Sequence, residues 1–298
     1  MYLLLYIFLL ILATSCQKEI DVKLPDYEKK VVIEGYIENG QFPIVTLSRS
    51  ISYLSPLNID TFLQKVLITD AQVLVRSNKG EKEYLTFQYT EDSPLGFAYV
   101  GDSIKGEYNT TYFLEVVWNG NTYQAETSIL QPFALDSVWF SAIPEGHQDS
   151  AATLRVLMTD DGSQKNYYQF FVKVQAKTLR DRYWVTSIPV AIDDASFNGQ
   201  TFNFEIFRAN PSSLLVSTMS ETEREAYYRM TFRRGDTVVF RYAAIDYPSF
   251  RYWASAGSDI AFGQNPFMNP TPIISNIRGK NVLGVWCGYA SQIDTLFY

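Results

Sequence analysis

Two pairs of adjacent carboxylates, Asp160-Asp161 and Asp193-Asp194, are the main candidates for acid–base chemistry. A glycosidase-type hydrolase needs two carboxyl groups that face each other across the reacting bond. Adjacent residues of a strand point to opposite faces, so neither pair forms such a couple by itself. We therefore interpret these acids as solvated turn or rim residues, with two carboxylates distant in sequence as the catalytic alternative. Segment 160–166 lacks the alternating acids and final glutamate of a calcium loop, and we predict a turn there.

Histidine and cysteine are too scarce for the other common site chemistries. His147 is the only histidine, and no Gly-x-Ser-x-Gly motif accompanies it. The two cysteines are Cys16 and Cys287, and one histidine with one free cysteine cannot fill a tetrahedral zinc shell. We predict no catalytic residue, no metal ligand and no cofactor.

Aromatic residues are the most abundant potential binding groups, with 21 tyrosines and 20 phenylalanines. Sugar rings stack on aromatic faces, so an exposed platform would suit a glycan. Aromatic residues are also favoured in sheets and fill their cores. We expect the core role to dominate.

The densest group of conformationally restricted residues lies in segment 263–279. Its three prolines fix φ, and its asparagine side chains can bond to nearby backbone. We expect an ordered loop that serves either as an interaction surface or as a structural element. Its candidate residues are Asn265, Pro266, Phe267 and Asn276, and we expect Phe267 to be buried because an exposed phenylalanine would favour unwanted association.

The elements that position these side chains are short segments rich in Val, Ile, Thr, Tyr and Phe, separated by turn residues. The pairs Asn39-Gly40 and Asn119-Gly120 favour tight hairpin turns. Seven short strands in about a hundred residues indicate an immunoglobulin-like or transthyretin-like β-sandwich over residues 31–132. We predict these strands at 31–37, 45–48, 71–77, 82–89, 98–100, 112–118 and 122–127.

The second half of the chain is less regular but also β-rich. Pro132 follows the last of these strands and a new β pattern begins at Ser137, so we predict a second domain at residues 136–298. Short helices are predicted at 220–229, which has capping-box spacing, and at 249–256. The predicted fold class is mainly β, with one or two short helices in the second domain. Its strands are predicted at 154–159, 167–175, 201–208, 236–244 and 284–289.

The chain begins with an apolar run of the length of a secretion signal. Residues 2–13 carry no charge, whereas a bilayer-spanning helix needs about 20 apolar residues. The small residues 13–15 precede Cys16, after which the sequence turns polar, and this arrangement resembles a bacterial lipobox. We predict that residues 1–15 form a signal peptide and that residues 16–30 form a tether whose acyl chains are attached to Cys16.

Charge excludes several classes of partner. The formal net charge is −7, which disfavours nucleic acid and adhesion to anionic lipid through a basic patch. The acyl chains on Cys16 must therefore supply the membrane attachment. If Cys16 is acylated, Cys287 has no disulfide partner in the chain, so the fold must rely on packing.

These residues together resemble a family of uncharacterised Bacteroidota lipoproteins, a domain of unknown function. The resemblance implies an outer-membrane lipoprotein associated with a TonB-dependent receptor and an accessory role in import, with no catalytic residue. Gln17, Lys18 and Glu19 are similar to the signal that directs lipoproteins to the cell surface, with the periplasmic face as the alternative because Ile20 interrupts the acidic run. The resemblance lies in the cysteine with segment 20–22, in segments 31–35, 70–73 and 106–112, and above all in Asn265-Pro266-Phe267, Ser275-Asn276-Ile277 and Gly288-Tyr289.

We therefore expect a non-catalytic, surface-exposed lipoprotein that assists TonB-dependent uptake. It would do so by binding a glycan or peptide ligand or by docking on the receptor. A carboxylate-based hydrolase and a structural or adhesion module of the envelope are the alternatives. Two facing acids in a cleft would favour the hydrolase. An exposed aromatic groove would favour ligand binding, and a flat face would favour docking on the receptor.

Replacing Cys16 by serine removes the thiol that the lipobox interpretation requires. We expect Cys16→Ser to release the mature domain into the soluble fraction with its fold intact, because the tether precedes the first strand. Cell fractionation and circular dichroism measure the two effects, and Ser15→Ala, which keeps a small residue, should remain attached. A Cys16→Ser protein that still sediments with membranes would contradict the lipoprotein prediction.

Overall fold

The computed structural model describes residues 29–50, 65–93, 95–142, 151–175, 184–208, 231–262 and 272–298. These ranges contain sixteen strands and the helix α1, which spans Tyr247–Phe262. The first eight strands are β1 (Val31–Glu38), β2 (Ile44–Arg49), β3 (Gln72–Ser77), β4 (Lys82–Tyr84), β5 (Thr86–Tyr89), β6 (Phe97–Val100), β7 (Thr110–Trp118) and β8 (Asn121–Ile129). The other eight are β9 (Ser137–Ala142), β10 (Ala151–Thr159), β11 (Tyr167–Val174), β12 (Val185–Asp193), β13 (Thr201–Ile206), β14 (Phe232–Arg233), β15 (Thr237–Ala244) and β16 (Val282–Phe297).

The prediction of a mainly β fold is confirmed. The helix predicted at 249–256 lies within α1, and the one predicted at 220–229 falls outside the described residues. The predicted strand 82–89 is two strands, because Leu85 lies between β4 in one sheet and β5 in another. Strand β12 was not predicted, since Pro189 interrupts its pattern; β12 is an edge strand among the described residues, where proline is tolerated.

A sheet of eight strands forms the centre of the fold, in the order β12-β11-β15-β16-β1-β2-β6-β5. Strand β16 changes partner along its length. Residues 282–289 pair in parallel with β1, and residues 290–297 pair antiparallel with β15. The sheet therefore contains strands from both sides of the predicted boundary near Pro132, and the division into two domains stays a prediction.

One face of this central sheet is covered by two smaller sheets. The sheet β4-β3-β7-β8 encloses a core with β1, β2 and the first half of β16, in which Trp286 is fully buried and its Nε1–H donates to the carbonyl oxygen of Tyr112 at 3.0 Å. The sheet β13-β10-β14, with β9 paired to β10, encloses a second core with β11 and β15 around Phe170 and Phe240. The sandwich predicted for residues 31–132 thus also contains a strand from the far end of the sequence.

Helix α1 packs on the opposite face, which we refer to as the helix face. Its contacts are with β11, β12 and β16, and its Tyr252 and Ala256 join a third core with Val285 and Cys287. Alternation along the strands divides the residues between the two faces. In β16, for example, Trp286 points into the first core while Cys287 lies under α1.

A single carboxylate, that of Asp246, joins α1 to two strands. Its Oδ1 accepts the backbone N–H of Ser249 at 3.0 Å, as an N-cap does. Its Oδ2 accepts the Thr127 hydroxyl at 2.8 Å and the Ser128 N–H at 3.1 Å in β8. The Thr127 hydroxyl accepts in turn the N–H of Gly288 in β16 at 2.7 Å. A Cβ at Gly288 would lie 2.6 Å from the Ser128 carbonyl oxygen, so this crossing of β8 and β16 requires glycine.

Removing the Asp246 carboxylate tests how much this junction contributes to stability. We expect Asp246→Ala to lower the free energy of unfolding by about 2 to 4 kcal/mol, because the helix loses its cap and the Thr127 and Ser128 donors lose their acceptor. Asp246→Asn keeps one of the two acceptor oxygens and should lose about half as much. Urea denaturation measures both variants, and equal stability of Asp246→Ala and the native protein would contradict the junction.

Candidate functional site

The helix face carries a buried arginine surrounded by aromatic rings. Arg241 of β15 is 7% exposed, and its Nη1 donates to Oε2 of Glu38 in β1 at 3.1 Å. Its Cζ lies 4.0 Å from the ring centroid of Phe171, 4.9 Å from that of Trp184 and 5.3 Å from that of Tyr289. We refer to these five residues as the arginine cluster.

The arginine cluster is held by both charge and aromatic contacts. Each close cation–π contact contributes about 0.5 to 2 kcal/mol, depending on how far it is desolvated. The Phe171 and Tyr289 rings meet edge to face at 5.6 Å. Beside them, burial raises the pKa of Tyr36 to about 12, and the charges of Asp92 and Glu38 add to this rise while Arg241 opposes it. The cluster therefore combines a neutralised ion pair with apolar walls.

Unpaired polar atoms are concentrated between α1 and the sheet. Among the described residues, seven buried side-chain atoms have no hydrogen-bond partner, and only Asp194 Oδ1 belongs to a distant turn. The other six atoms belong to residues of the helix face or of α1: Nε2 and Oε1 of Gln169, Nε of Arg241, Nε1 of Trp253, and Oγ of Ser249 and Ser291. The Cys287 sulfur, a weak hydrogen-bonding group, lies beside Ser249 and Trp253. We refer to these five residues, Gln169, Arg241, Ser249, Trp253 and Ser291, as the polar layer.

The strand register explains why Gln169 lacks a partner. Gln169 lies opposite Ala191 in β12 and Ala243 in β15, and Ala243 lies opposite Ser291 in β16. Alanine offers no polar side-chain atom, so neither direct neighbour can bond to the amide. A buried polar group without a partner costs about 1 to 3 kcal/mol, so this arrangement is costly unless another molecule satisfies it.

Cys287 lies beside Ser249 and Trp253 of the polar layer, and its thiol is weakly reactive. Burial raises the pKa of its thiol to about 12, the charge of Asp246 adds to the rise, and the neighbouring Ser249, Tyr289 and Trp253 side chains oppose it. The thiolate is the reactive form of cysteine, so Cys287 is a poor nucleophile at neutral pH. Burial likewise raises the pKa of Tyr289 well above its ordinary value.

Of the predicted loop residues, the structure describes Asn276, which has a structural role. Its Nδ2 donates to the carbonyl oxygen of Trp286 at 2.8 Å, and its Oδ1 accepts the Trp286 N–H at 2.9 Å. The side-chain amide thus takes the place of a neighbouring strand beside β16. Cys16, Gln17, Lys18, Glu19, Asn265, Pro266, Phe267 and His147 lie outside the described residues, so their predicted roles stay predictions.

The interpretation of the paired acids as solvated residues is wrong for Asp160 and Asp194, which are buried. The carboxylate of Asp160 accepts bonds from the Tyr168 hydroxyl, from Asn166 Nδ2 at 3.3 Å and from the Gly199 N–H at 2.9 Å. Protein donors therefore occupy both of its oxygens. The turn predicted at 160–166 is confirmed, and the donors that fold back on Asp160 explain why the acid is buried there.

Glu83, which the sequence did not single out, is also a buried structural acid. Its Oε1 accepts the N–H groups of Asp102 and of Ser103, the latter at 3.0 Å, and its Oε2 accepts the N–H of Ile104 at 2.8 Å. In the part of the chain that the structure describes, no group of three or more His, Cys, Asp or Glu residues is close enough to hold a metal ion. No helix of that part is long and apolar enough to span a bilayer.

Aromatic side chains fill the cores, as the sequence predicts for many of them. Tyr112, Phe170 and Phe232 are fully buried. Tyr84 in β4 and Tyr89 in β5 are exposed, at 66% and 65%. Neither Tyr84 nor Tyr89 belongs to the arginine cluster or to the polar layer.

Together, the fold and this site define a β-rich protein in which two small sheets and a helix cover a central sheet and enclose polar groups under the helix. The chain belongs to the family described as Domain of unknown function (DUF4249), which matches residues 17–293. No curated protein matches the chain. The family match extends from Gln17 to Ile293 in β16 and so includes the arginine cluster and the polar layer.

Two polar residues in otherwise apolar strand segments indicate this site, although the alternation of apolar and polar residues along the strands does not. Gln169 interrupts the apolar segment of β11, and Arg241 interrupts that of β15. Strands covered on both faces are nearly continuous in apolar residues, so a single polar residue inside one marks a buried polar group. To infer a buried polar group from such a residue, one must already know that both faces of the strand are covered.

Replacing Gln169 by leucine tests whether its amide is unpaired. We expect Gln169→Leu to raise the free energy of unfolding by about 1 to 3 kcal/mol, because leucine has a similar volume and removes two unpaired polar atoms. Gln72→Leu, at an exposed site in β3, is the matched control and should change stability by less than about 0.5 kcal/mol. A lower stability of Gln169→Leu in urea denaturation would show that the amide is already bonded in the isolated protein.

Proposed function

We propose that this chain is a non-catalytic outer-membrane lipoprotein that assists TonB-dependent uptake by binding a ligand or docking on the receptor. The acyl chains on Cys16 anchor it, and Gln17, Lys18 and Glu19 direct it to the cell surface. Support for the anchor comes from the apolar run that ends directly before Cys16. The membership in a domain family of unknown function is compatible with this role.

The observation that carries the proposal is the set of unpaired polar groups enclosed next to the arginine cluster. Ligand sites combine mostly apolar and aromatic walls with a few placed polar groups. Phe171, Trp184 and Tyr289 supply such walls, while Gln169 and Ser291 supply polar atoms that the protein leaves unbonded. This arrangement favours ligand binding over a purely structural or adhesive module.

The structural roles of Asp160, Glu83 and Cys287 favour binding over hydrolysis. The carboxylate oxygens of Asp160 and Glu83 accept hydrogen bonds from backbone N–H groups, and these bonds hold the chain in place. Cys287 stays protonated under α1. A general acid or base must instead reach the proton that it transfers, and these groups already have structural partners.

Affinity purification from native membranes tests the uptake role. An epitope can be inserted between Asn119 and Gly120, an exposed hairpin turn between β7 and β8 whose φ angles are 47° and 73°. After mild solubilisation and purification through the epitope, we expect more TonB-dependent receptor from membranes with the tagged chain than from membranes with the untagged chain. Equal recovery of such receptors from the tagged and untagged strains would overturn the uptake proposal.

A further inference from the structure

We propose that the end of the molecule at which the tether meets β1 docks on the anionic lipid headgroups of the membrane that holds the anchor. This inference rests on the proposed function, because the acyl chains on Cys16 bring this end to a membrane surface. It goes beyond that function, since it gives the folded part a membrane contact of its own. Six basic residues define this surface, which we refer to as the basic end: Lys29, Lys30, Arg49, Lys65, Arg278 and Lys280.

On the β2 side, backbone contacts bring three of these residues together. The Lys30 N–H donates to the Ser50 hydroxyl at 2.8 Å, and the Ser50 N–H donates to the Lys30 carbonyl oxygen at 2.9 Å. Arg49 is the last residue of β2 and directly precedes Ser50. An isolated bridge joins β2 to Leu67, two residues after Lys65. The three basic residues therefore start from adjacent stretches of backbone.

On the other side of β1, the turn before β16 adds Arg278 and Lys280. The Val31 N–H donates at 2.9 Å to the carbonyl oxygen of Asn281, the residue after Lys280. Arg278 and Gln124 of β8 exchange two backbone hydrogen bonds, at 2.7 and 2.9 Å. The basic end therefore extends from the central sheet to the small sheet that contains β8.

Most of these basic side chains can reach a phosphate group. Lys30 and Arg49 are half-buried, and the other four are exposed. Among the described residues, none of those four forms an ion pair. A basic residue close to an anionic membrane surface strengthens binding about fivefold. Four such residues supply a measurable affinity without an acyl chain.

An aromatic residue at the same end suits a membrane–water interface. The Cζ of Arg49 lies 4.9 Å from the centroid of the Trp118 ring, at the end of β7. Tryptophan is enriched at such interfaces because its ring has an apolar body and a polar N–H. Val117, next to it in β7, is an exposed apolar residue. The basic end thus combines positive charge with a small apolar surface.

Acidic residues are fewer on this surface. Its described acids are Asp70, whose Oδ1 accepts the Trp118 indole N–H at 2.8 Å, and Glu126, which is exposed in β8. Glu34 and the two acids of the β5–β6 turn lie about 10 Å further along the sheet, at the level of Thr46. That distance is about one Debye length at 0.1 M salt, so their effect is largely screened. The basic end is therefore positive, although the net charge of the whole chain, −7, disfavours a basic patch.

The tether lowers the affinity that the basic end needs. Segments 17–28 and 51–64, which adjoin this end in the sequence, add two lysines and five acids and so reduce its net charge. The 13 residues from Cys16 to Lys29 can span no more than about 45 Å. Docking of the anchored chain is therefore intramolecular, and weak headgroup contacts suffice at the resulting effective concentration.

Vesicle binding by the unanchored chain isolates the contribution of the basic end. The chain from Gln17 to Tyr298 contains every described residue but lacks the signal and Cys16. We expect it to sediment with vesicles of phosphatidylcholine and phosphatidylglycerol in equal parts, and to bind vesicles of phosphatidylcholine alone at least about tenfold more weakly. Binding to the anionic vesicles should fall as salt is added, because salt screens exposed charges.

Two matched pairs of substitutions locate the binding surface. Arg278→Gln combined with Lys280→Gln should weaken binding to the anionic vesicles about 25-fold, which is about fivefold for each charge removed. Lys82→Gln combined with Lys105→Gln removes the same charge from exposed residues at the opposite end of the fold and should leave binding unchanged. Lys65→Gln is an independent variant with an expected fivefold loss, to about one fifth of the native affinity. Equal losses in the two pairs would overturn the assignment to the basic end.

The remaining outcomes separate this inference from the proposed function. Equal binding to anionic and neutral vesicles would overturn the inference, whereas receptor enrichment in the purification experiment would still support the uptake role. Selective binding to anionic vesicles without receptor enrichment would support the inference and count against the uptake proposal. Receptor enrichment that is lost in the Arg278 and Lys280 pair, with vesicle binding unchanged, would overturn the inference and assign the basic end to the receptor.

Discussion

The pairing of β16 with two different strands is the constraint on which the rest of the fold depends. Residues 282–289 complete the β1 side of the central sheet, and residues 290–297 complete the β15 side. No other described strand pairs with both β1 and β15. Both small sheets therefore pack on one continuous surface, because β16 holds the two sides of that surface in register.

This constraint also creates the enclosed site. Since the smaller sheets occupy one face, the opposite face is left for α1, and alternate residues of β11, β15 and β16, such as Phe171, Ala243 and Cys287, point to the helix side. Asp246 fixes the start of α1 at the place where β8 crosses β16. The polar layer is thus positioned mainly by backbone pairing and by the Asp246 carboxylate, and Arg241 is also held by its ion pair with Glu38.

The sequence predicted features that depend on local chemistry. Asn119-Gly120 forms the expected tight turn because both residues adopt positive φ, and the alternation in β3 matches its buried and exposed faces. Features set by distant contacts were not predictable in this way. The second half of β16 contains the polar residues Ser291, Gln292 and Asp294, so its sequence does not predict a strand. It continues the strand because β15 supplies backbone hydrogen-bond partners. The polar layer was missed because Gln169 and Ser291 lie on strands that the sequence separates widely and that β15 brings onto one face.

The late position of β16 in the sequence has a consequence for how the chain folds during synthesis. Until residues 282–297 have been made, β1 and β15 each keep one unpaired edge, and the central sheet cannot close. Contacts between residues so far apart form slowly, so the nascent chain stays incompletely folded for most of its synthesis. A chain in that state presents open strand edges to whatever surrounds it, and holding factors that cover such edges would prevent intermolecular pairing until β16 arrives.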